Sequence, residues 1–502
     1  KEDFFMGKKI PMWQVAIVMA FTILALMYAM DILAMIFKSD ALACGYGELH
    51  VPLIASATVG AIVAVLNGYK WSFLEAGILA SINRSMQAML ILMCVGLLIG
   101  SWIAGGVVPA MIYYGLMILK PSIFLLAGCL LCCIVSLATG SSWTTAGTIG
   151  IALIGVGQGL GIDPAMTAGA IVSGAYFGDK MSPLSDTTNL APAVAGSNLF
   201  DHIRHMVWTV TPSLIIALIL FGILGAGHSG NVDMNAVTEM QEGILANFNI
   251  NPALLIPPLV VIFIVAFRLP ALPGLLGGVI LGCIAGGIWQ GVAFGDWFGI
   301  LHYGFAFPED ANVSADLADL LNRGGMDSML WTINLIICAM CFGGVMDASG
   351  MLASLAKAML KLARNTGSLV TVTVFSCIFM NIIAADQYLA IILPGRMYKE
   401  AFEDRRLKNK NLSRCLEDSG TMTSNLVPWN TCGATMSTFL GVKQWGAGGY
   451  GKYAFLNLLN PLVSIFYGFT GISMEKMTEE EYQQVLAQRE ADKEAALKTL
   501  EA

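Results

Sequence analysis

The chain has 502 residues, of which 56% are hydrophobic and 12% charged, with a mean hydropathy of +0.72. Soluble domains carry roughly 25% charged residues, so a soluble globular protein is excluded and an all-α polytopic membrane protein is implied. The net charge of −7 arises from 27 Lys plus Arg against 34 Asp plus Glu; these crowd into loops and the tail, and no nucleic-acid surface is indicated.

Apolar runs of about 20 residues are read as spans and Lys/Arg-rich loops as cytoplasmic. Lys8 and Lys9 place the N-terminus inside. The run 12–37 is longer than a signal-peptide core and lacks a clear small-residue cleavage site, so it reads as a retained span. Run 51–67 returns to Lys70 and Arg84, and 88–109 goes out again. Between 122 and 161, two apolar halves flank Thr139-Gly140-Ser141-Ser142-Trp143-Thr144-Thr145 with no basic loop between them, the pattern of a re-entrant hairpin. Stretch 174–198 is the most polar passage in an apolar neighbourhood. Gly178, Pro183 and Pro192 break it, and it ends at His202, Arg204 and His205, read as a cytoplasmic surface loop. A broken segment exposes backbone that lipid cannot satisfy, so it must be buried in protein or line a polar cavity.

Run 207–227 crosses outward to a loop with Asp and Glu but no Lys or Arg, and 252–267 returns to Arg268. Run 269–290 leads to a second acidic loop with Glu309, Asp310, Asp316 and Asp319, and 329–345 returns to Lys357, Lys361 and Arg364. Run 368–394 has basic flanks on both sides, which a hairpin folded between Asn381 and Gln387 would explain. A second broken crossing, 415–442, precedes a last span, 453–470, and a charged tail from Met474, read as an amphipathic cytoplasmic helix. The spacings Cys129 to Cys132 and Cys338 to Cys341 lie in apolar runs with no further ligand nearby, so packing is favoured over metal or redox chemistry.

The two hairpins and two broken crossings recur in order, and Gly178, Ser182 and Leu184 match Gly420, Ser424 and Leu426. Span 88–109 runs outward and 329–345 inward, so the copies are inverted, the architecture of secondary transporters with midplane sites. The chain divides into N-terminal scaffold helices (1–85), a first repeat (86–206), linking scaffold helices (207–325), a second repeat (326–472) and a cytoplasmic tail (473–502).

Charged groups at membrane depth cost roughly 2.5 to 3.5 kcal/mol each at a helix centre and mark ion or substrate paths. Asp179 and Asp186 offer negative charge to Na⁺. Ser182, Ser185, Thr187, Thr188 and Asn189 offer the neutral oxygens that hard cations prefer. The plainer reading of Asp179 is a pair with Lys180 at a helix end. Asp386, in an apolar hairpin, is the candidate for exchanging a proton against a cation. Thr139, Ser141, Ser142, Thr144, Asn381 and Gln387 at the tips, with Ser424, Asn425, Trp429, Asn430 and Thr431 in the second break, are candidate substrate contacts. Ordinary capping and packing are their alternatives. No H-E-x-x-H, G-x-S-x-G or nucleotide-binding loop suggests an enzyme or a need for ATP; a channel would share the polar midplane but not two alternately exposed states.

The runs S-L-A-T-G-S-S-W-T-T-A-G-T-I-G from Ser136, G-A-Y-F-G-D-K-M-S-P-L-S-D-T-T-N-L-A from Gly174 and N-L-V-P-W-N-T-C-G from Asn425 resemble the NhaC-type Na⁺/H⁺ antiporters of the ion transporter superfamily. The resemblance implies a homodimeric elevator-type carrier in a bacterial inner membrane. It exchanges Na⁺ for H⁺ without a cofactor, with both termini cytoplasmic. Similar sequences include Na⁺/lactate–malate/H⁺ antiporters, so a small carboxylate as a further substrate stays open.

Overall fold

The computed structural model describes residues 8–46, 48–228, 234–266, 271–308, 311 and 313–501. Arg268, and Glu309 and Asp310 of the second acidic stretch read from the sequence, lie outside them. Among the described residues the chain is helical throughout, apart from one isolated bridge between Leu407 and Lys476. Seven helices are long and apolar enough to cross a membrane, or eight when Val237–Asn247 and Pro252–Ile264, bent by 100°, count as one span. Large apolar side chains stay exposed on their outer faces, among them Leu24, Ile219 and Ile223, as lipid contact requires.

The N-terminal half departs from the sequence reading in two places. Run 12–37 ends its first helix, α1 (Met12–Ala29), where Asp31 adopts a left-handed φ of 57°, and a short helix, Ile32–Phe37, follows. Asp31 Oδ1 then accepts from the Cys44 amide at 2.7 Å, so this polar residue closes a turn. After α2 (His50–Leu66), Lys70 lies in the short turn as expected, but Arg84 falls inside one 34-residue helix, α3 (Trp71–Ala104). No proline interrupts it, and the Arg84 guanidinium is met by Asp347 at 3.1 Å. The boundary drawn at 85 therefore falls inside a helix.

Next come α4 (Val107–Ile118) and α5 (Pro121–Thr139). Gly140, at φ 69°, stops α5 and sends the chain through Ser141 into α6, which runs as Ser142–Thr145, a π-turn at Ala146–Gly150 and Ile151–Gly159. Asp163 caps α7 (Pro164–Met181) by accepting from the Ala165 amide at 2.8 Å, and Pro164 occupies the first turn, where its missing N–H costs nothing. The break 182–185 leads to α8 (Asp186–Ala195), ended by Gly196.

Helix α9 (Leu199–His228) carries a third correction. His202 and His205, expected on a surface loop, are 0% and 3% exposed within it. His202 Nδ1 meets Ser413 Oγ at 2.8 Å and His205 Nε2 meets Asn411 Oδ1 at 3.1 Å, so neighbouring polar groups replace water. The boundary at 206 likewise falls inside this helix.

Beyond α10 (Met234–Asn247), α11 (Ile256–Ala266), α12 (Ala271–Ala285) and α13 (Asp296–Tyr303), the second half repeats the theme. Helix α14 (Leu330–Ala348) packs along α3, and α15 (Met351–Leu360) follows. An Asn365/Ser368 capping box starts α16 (Thr366–Ile383). The tip 384–386 turns into α17 (Gln387–Glu403). Helix α18 comprises Asn409–Leu416, a π-turn at Glu417–Thr421 and Met422–Ser424; the break 425–430 leads to α19 (Thr431–Leu440), then α20 (Phe455–Thr470).

The tail helix α21 (Glu479–Glu501) docks by charge rather than by an apolar stripe. Arg406 pairs with Glu479 at 2.5 Å, Lys408 with Glu481 at 2.9 Å, and Arg489 with Glu403 at 2.6 Å.

The most extensive helix contact among the described residues joins α5 to α7. A Cβ on Gly174 would lie 2.2 Å from the Cys129 carbonyl oxygen, and one on Gly178 2.2 Å from the Leu137 nitrogen, so only glycine lets the two backbones touch. Cys129 and Cys132 sit in this contact as buried free thiols, the packing role expected of them. Gly178→Ala is expected to destabilise the protein by about 3 kcal/mol, the upper end of overpacking costs. Thermal unfolding of the purified protein checks this: an unchanged midpoint would remove the close-contact argument.

Candidate ion-binding site

Hairpin tips and helix breaks meet around one cavity of about 680 Å³. Each of four helices starts there. Ser141 caps α6, accepting from the Thr144 amide at 3.1 Å; Ser185 precedes α8; Asp386 caps α17, accepting from the Leu389 amide at 2.8 Å; Asn430 caps α19, accepting from the Cys432 amide at 3.0 Å. The first-turn amides of a helix lack intrahelical partners, and the short polar residues N-cap positions prefer are what made these stretches stand out in an apolar sequence.

Ten of the residues singled out from sequence line the cavity: Thr139, Ser141, Ser142, Asp179, Ser185, Asp186, Thr187, Asp386, Gln387 and Thr431. Asp179 is buried and doubly bonded, its Oδ2 accepting from Ser142 Oγ and its Oδ1 from Ser185 Oγ, both at 2.6 Å. Asp186 is exposed on the cavity wall. The Asp386 carboxylate is 2% exposed and spends one oxygen on its cap.

The remaining residues hold the site's frame instead of lining it. Ser182 Oγ donates to the Leu137 carbonyl at 2.9 Å, tying the first break to the first hairpin. Thr188 Oγ1 donates to the Asp179 and Lys180 carbonyls at 2.9 Å, and Asn189 donates to those of Pro183 and Ser185 at 2.9 and 2.7 Å. The carbonyls freed by the break are thus spent on protein donors. Thr144 bonds Ser141. In the second half Trp429 Nε1 donates to the Ile382 carbonyl at 2.6 Å, and Asn430 Nδ2 reaches the Asn381 backbone and side-chain oxygens at 3.1 Å. Asn381 Nδ2 donates to the Gly420 carbonyl at 2.8 Å; Ser424 and, from the first position of the break, Asn425 bond carbonyls of α18, at Thr421 and Met422. Each break is therefore laced to its own hairpin.

Lys180 does not pair with Asp179. One residue along an α-helix turns the side chain by about 100°, so Asp179 faces the cavity while Lys180 reaches α18 and pairs with Asp418. Both are fully buried. Asp418 Oδ1 also accepts from Thr209 at 2.8 Å and Asn460 at 2.7 Å, and Arg414 lies 3.7 Å away from its other oxygen. Beside them Glu417 is 0% exposed, with the Thr421 and Thr187 hydroxyls as its side-chain neighbours.

Sequence reasoning missed Arg84, Tyr388 and Cys432, which line the cavity, and the group Arg414, Glu417 and Asp418. The last three sit at the start of the second apolar crossing, and the argument that flagged Asp179 applies to them equally.

Comparison with known proteins identifies the family. Residues 174–472 match the model of the Na⁺/H⁺ antiporter family, from the first broken helix to the end of α20. The Na⁺/H⁺ antiporter NhaC of Alkalihalophilus pseudofirmus is 38% identical over 430 residues, 86% of this chain and 92% of the relative. The malate-2H⁺/Na⁺-lactate antiporter of Bacillus subtilis is 37% identical over 84% of this chain and 89% of its own, and the arginine/ornithine antiporter ArcD of Halobacterium salinarum is 36% identical over 86% and 89%. Identities at this level over most of both chains, with the family match running through every break and tip of the second half, make this chain a member of the Na⁺/H⁺ antiporter family.

Proposed function

We propose that this protein is a secondary antiporter exchanging Na⁺ for H⁺ across a bacterial inner membrane, with Asp179, Asp186 and Asp386 as the carboxylates of the exchange. The carrying observation is the cavity between the two hairpin tips and the two helix breaks, where these three acids meet hydroxyls from Ser142, Ser185 and Thr187. Carboxylate and hydroxyl oxygens suit a hard monovalent cation, and a carboxylate that holds either Na⁺ or a proton, never both, couples the two flows.

The recurrence of tip, turn and broken helix in 121–195 and 366–440 supports an inverted-repeat reading. With it go re-entrant hairpins, scaffold helices in 1–85 and 207–325, and an elevator movement of the hairpin-bearing part. Cytoplasmic termini follow from Lys8 and Lys9 and from the basic loop on which the tail docks. The homodimer rests on the family resemblance.

A second reading is favoured by one specific observation. Arg84 lines the same cavity, with one guanidinium nitrogen on Asp347, and together with the helix N-termini there its remaining N–H groups and the backbone amides could meet a carboxylate. Na⁺-coupled exchange of a small carboxylate would use that feature. Proteoliposomes with an internal pH dye separate the two. A Na⁺ pulse is expected to move protons with no organic acid present; a response that appears only with malate or lactate would replace the first reading by the second.

A further inference from the structure

The helices fall into two packed sets, and the cavity lies on the seam between them. Helix α3 packs along α14 and α12, and α14 along α2. The hairpins and broken crossings pack instead on one another, α5 on α7, α16 on α20 and α17, and α8 on α17. Arg84, Ser85, Gln87, Ala88 and Ile91 give the cavity its α3 wall, and the hairpins and broken crossings give the rest.

The charges divide along the same seam. Asp179, Asp186 and Asp386 all come from the hairpin-bearing set, whereas Arg84, the one Lys or Arg among the described residues lining the cavity, comes from α3. Its Nη2 donates to Asp347 of α14 at 3.1 Å, and both side chains of this pair are partly open to water. Such a pair holds weakly, and it leaves the other N–H groups of the guanidinium to turn elsewhere. Across the seam, the charges of Arg84 and Asp347 both bear on Asp386, which is buried and has one oxygen committed to the Leu389 amide. Arg84 thus stands between two carboxylates, one in its own set and one in the other.

An obligate exchanger crosses only when loaded, because a carrier that returns empty turns exchange into a leak. We propose that Arg84 is the latch that holds the empty carrier. While Asp386 carries no Na⁺, its negative charge is drawn across the seam to the fixed guanidinium, and the hairpin-bearing set is held against α3. Bound Na⁺ cancels the carboxylate's charge, the attraction lapses, and the loaded set is free to travel. The proposal rests on the antiport and elevator reading above and assigns Arg84 the coupling of its two flows. Arg84 acts through Asp386 and needs no contact with the ion itself.

The test is ²²Na⁺ efflux from proteoliposomes in strongly alkaline buffer on both sides, where protons for the return step are scarce, measured with and without unlabelled Na⁺ outside. Wild type is expected to release ²²Na⁺ several-fold faster when Na⁺ is present outside. In Arg84→Gln the ratio of the two rates is expected to fall towards one, since the empty carrier now returns unaided. Arg84→Lys, which keeps the charge, is expected to retain the wild-type ratio. Damage to packing alone would slow both rates and leave their ratio, so a wild-type ratio in Arg84→Gln overturns the proposal while the antiport reading stands. A ratio of one in the wild type also overturns it; if a Na⁺ pulse at neutral pH moves no protons either, the antiport reading falls as well. Should Arg84→Gln fail to fold, Asp347→Asn gives Arg84 to Asp386 alone: a ratio at or above the wild-type value is expected, and a ratio near one would overturn the proposal.

Discussion

Asp179→Asn is expected to lower apparent Na⁺ affinity by at least about a hundredfold, with exchange lost at ordinary Na⁺ concentrations. The variant keeps the shape of the side chain but removes a buried negative charge. Stranding one buried ion costs about 3 kcal/mol or more, and each 1.4 kcal/mol is about a factor of ten. Asp179 is positioned rather than mobile, its oxygens fixed by Ser142 from the first hairpin and Ser185 from the break. Asp186 stands exposed on the cavity wall, where water screens it, so Asp186→Asn is expected to cost about tenfold or less. Na⁺-dependent exchange by both variants in proteoliposomes checks the ranking. Wild-type affinity in Asp179→Asn would remove it from the site.

Asp418→Asn is expected to damage folding more than any other single polar change described. It would leave Lys180 and Arg414 buried without their shared counter-ion, a change that typically costs 3 to 5 kcal/mol at about room temperature. Purified Asp418→Asn should show a markedly lowered unfolding midpoint or fail to accumulate. Combining it with Lys180→Met removes both charges of the pair, so the double variant should be more stable than the sum of the single losses implies. Additive losses would show that the pair is not a coupled unit.

The places where the helices stop were legible in the sequence because a membrane chain uses few polar residues without cause. The tips at Thr139–Thr145 and Asn381–Gln387 and the breaks around Pro183 and Pro192 announced themselves by glycine, proline and hydroxyl residues in apolar surroundings. Partner choice was not legible. Asp179 and Lys180 are adjacent in sequence, yet helical geometry sends them to different faces, one to Ser142 and Ser185 and the other to Asp418, more than two hundred residues away. Arg84 misled for a related reason. A lone arginine between apolar runs reads as a loop until its partner Asp347 is seen alongside. His202 and His205 misled likewise, since Ser413 and Asn411 come from a distant stretch. The functions of Asn381, Asn430 and Trp429 also depended on three-dimensional pairing: they lace a break to its hairpin, which no local pattern encodes.

The glycine contact between α5 and α7 has a further consequence, for insulation. Where Gly174 meets the Cys129 carbonyl and Gly178 meets the Leu137 amide, backbone rests on backbone and at these two points leaves no room even for a methyl group. A carrier that stores work as an ion gradient is only as good as its resistance to leakage, and a water thread past the bound ion would short-circuit it. On the ion site proposed above, the small residues here would act as a gasket beside the path. A bulkier residue at Gly178, even where the protein still folds, would open that seam and let protons pass without Na⁺.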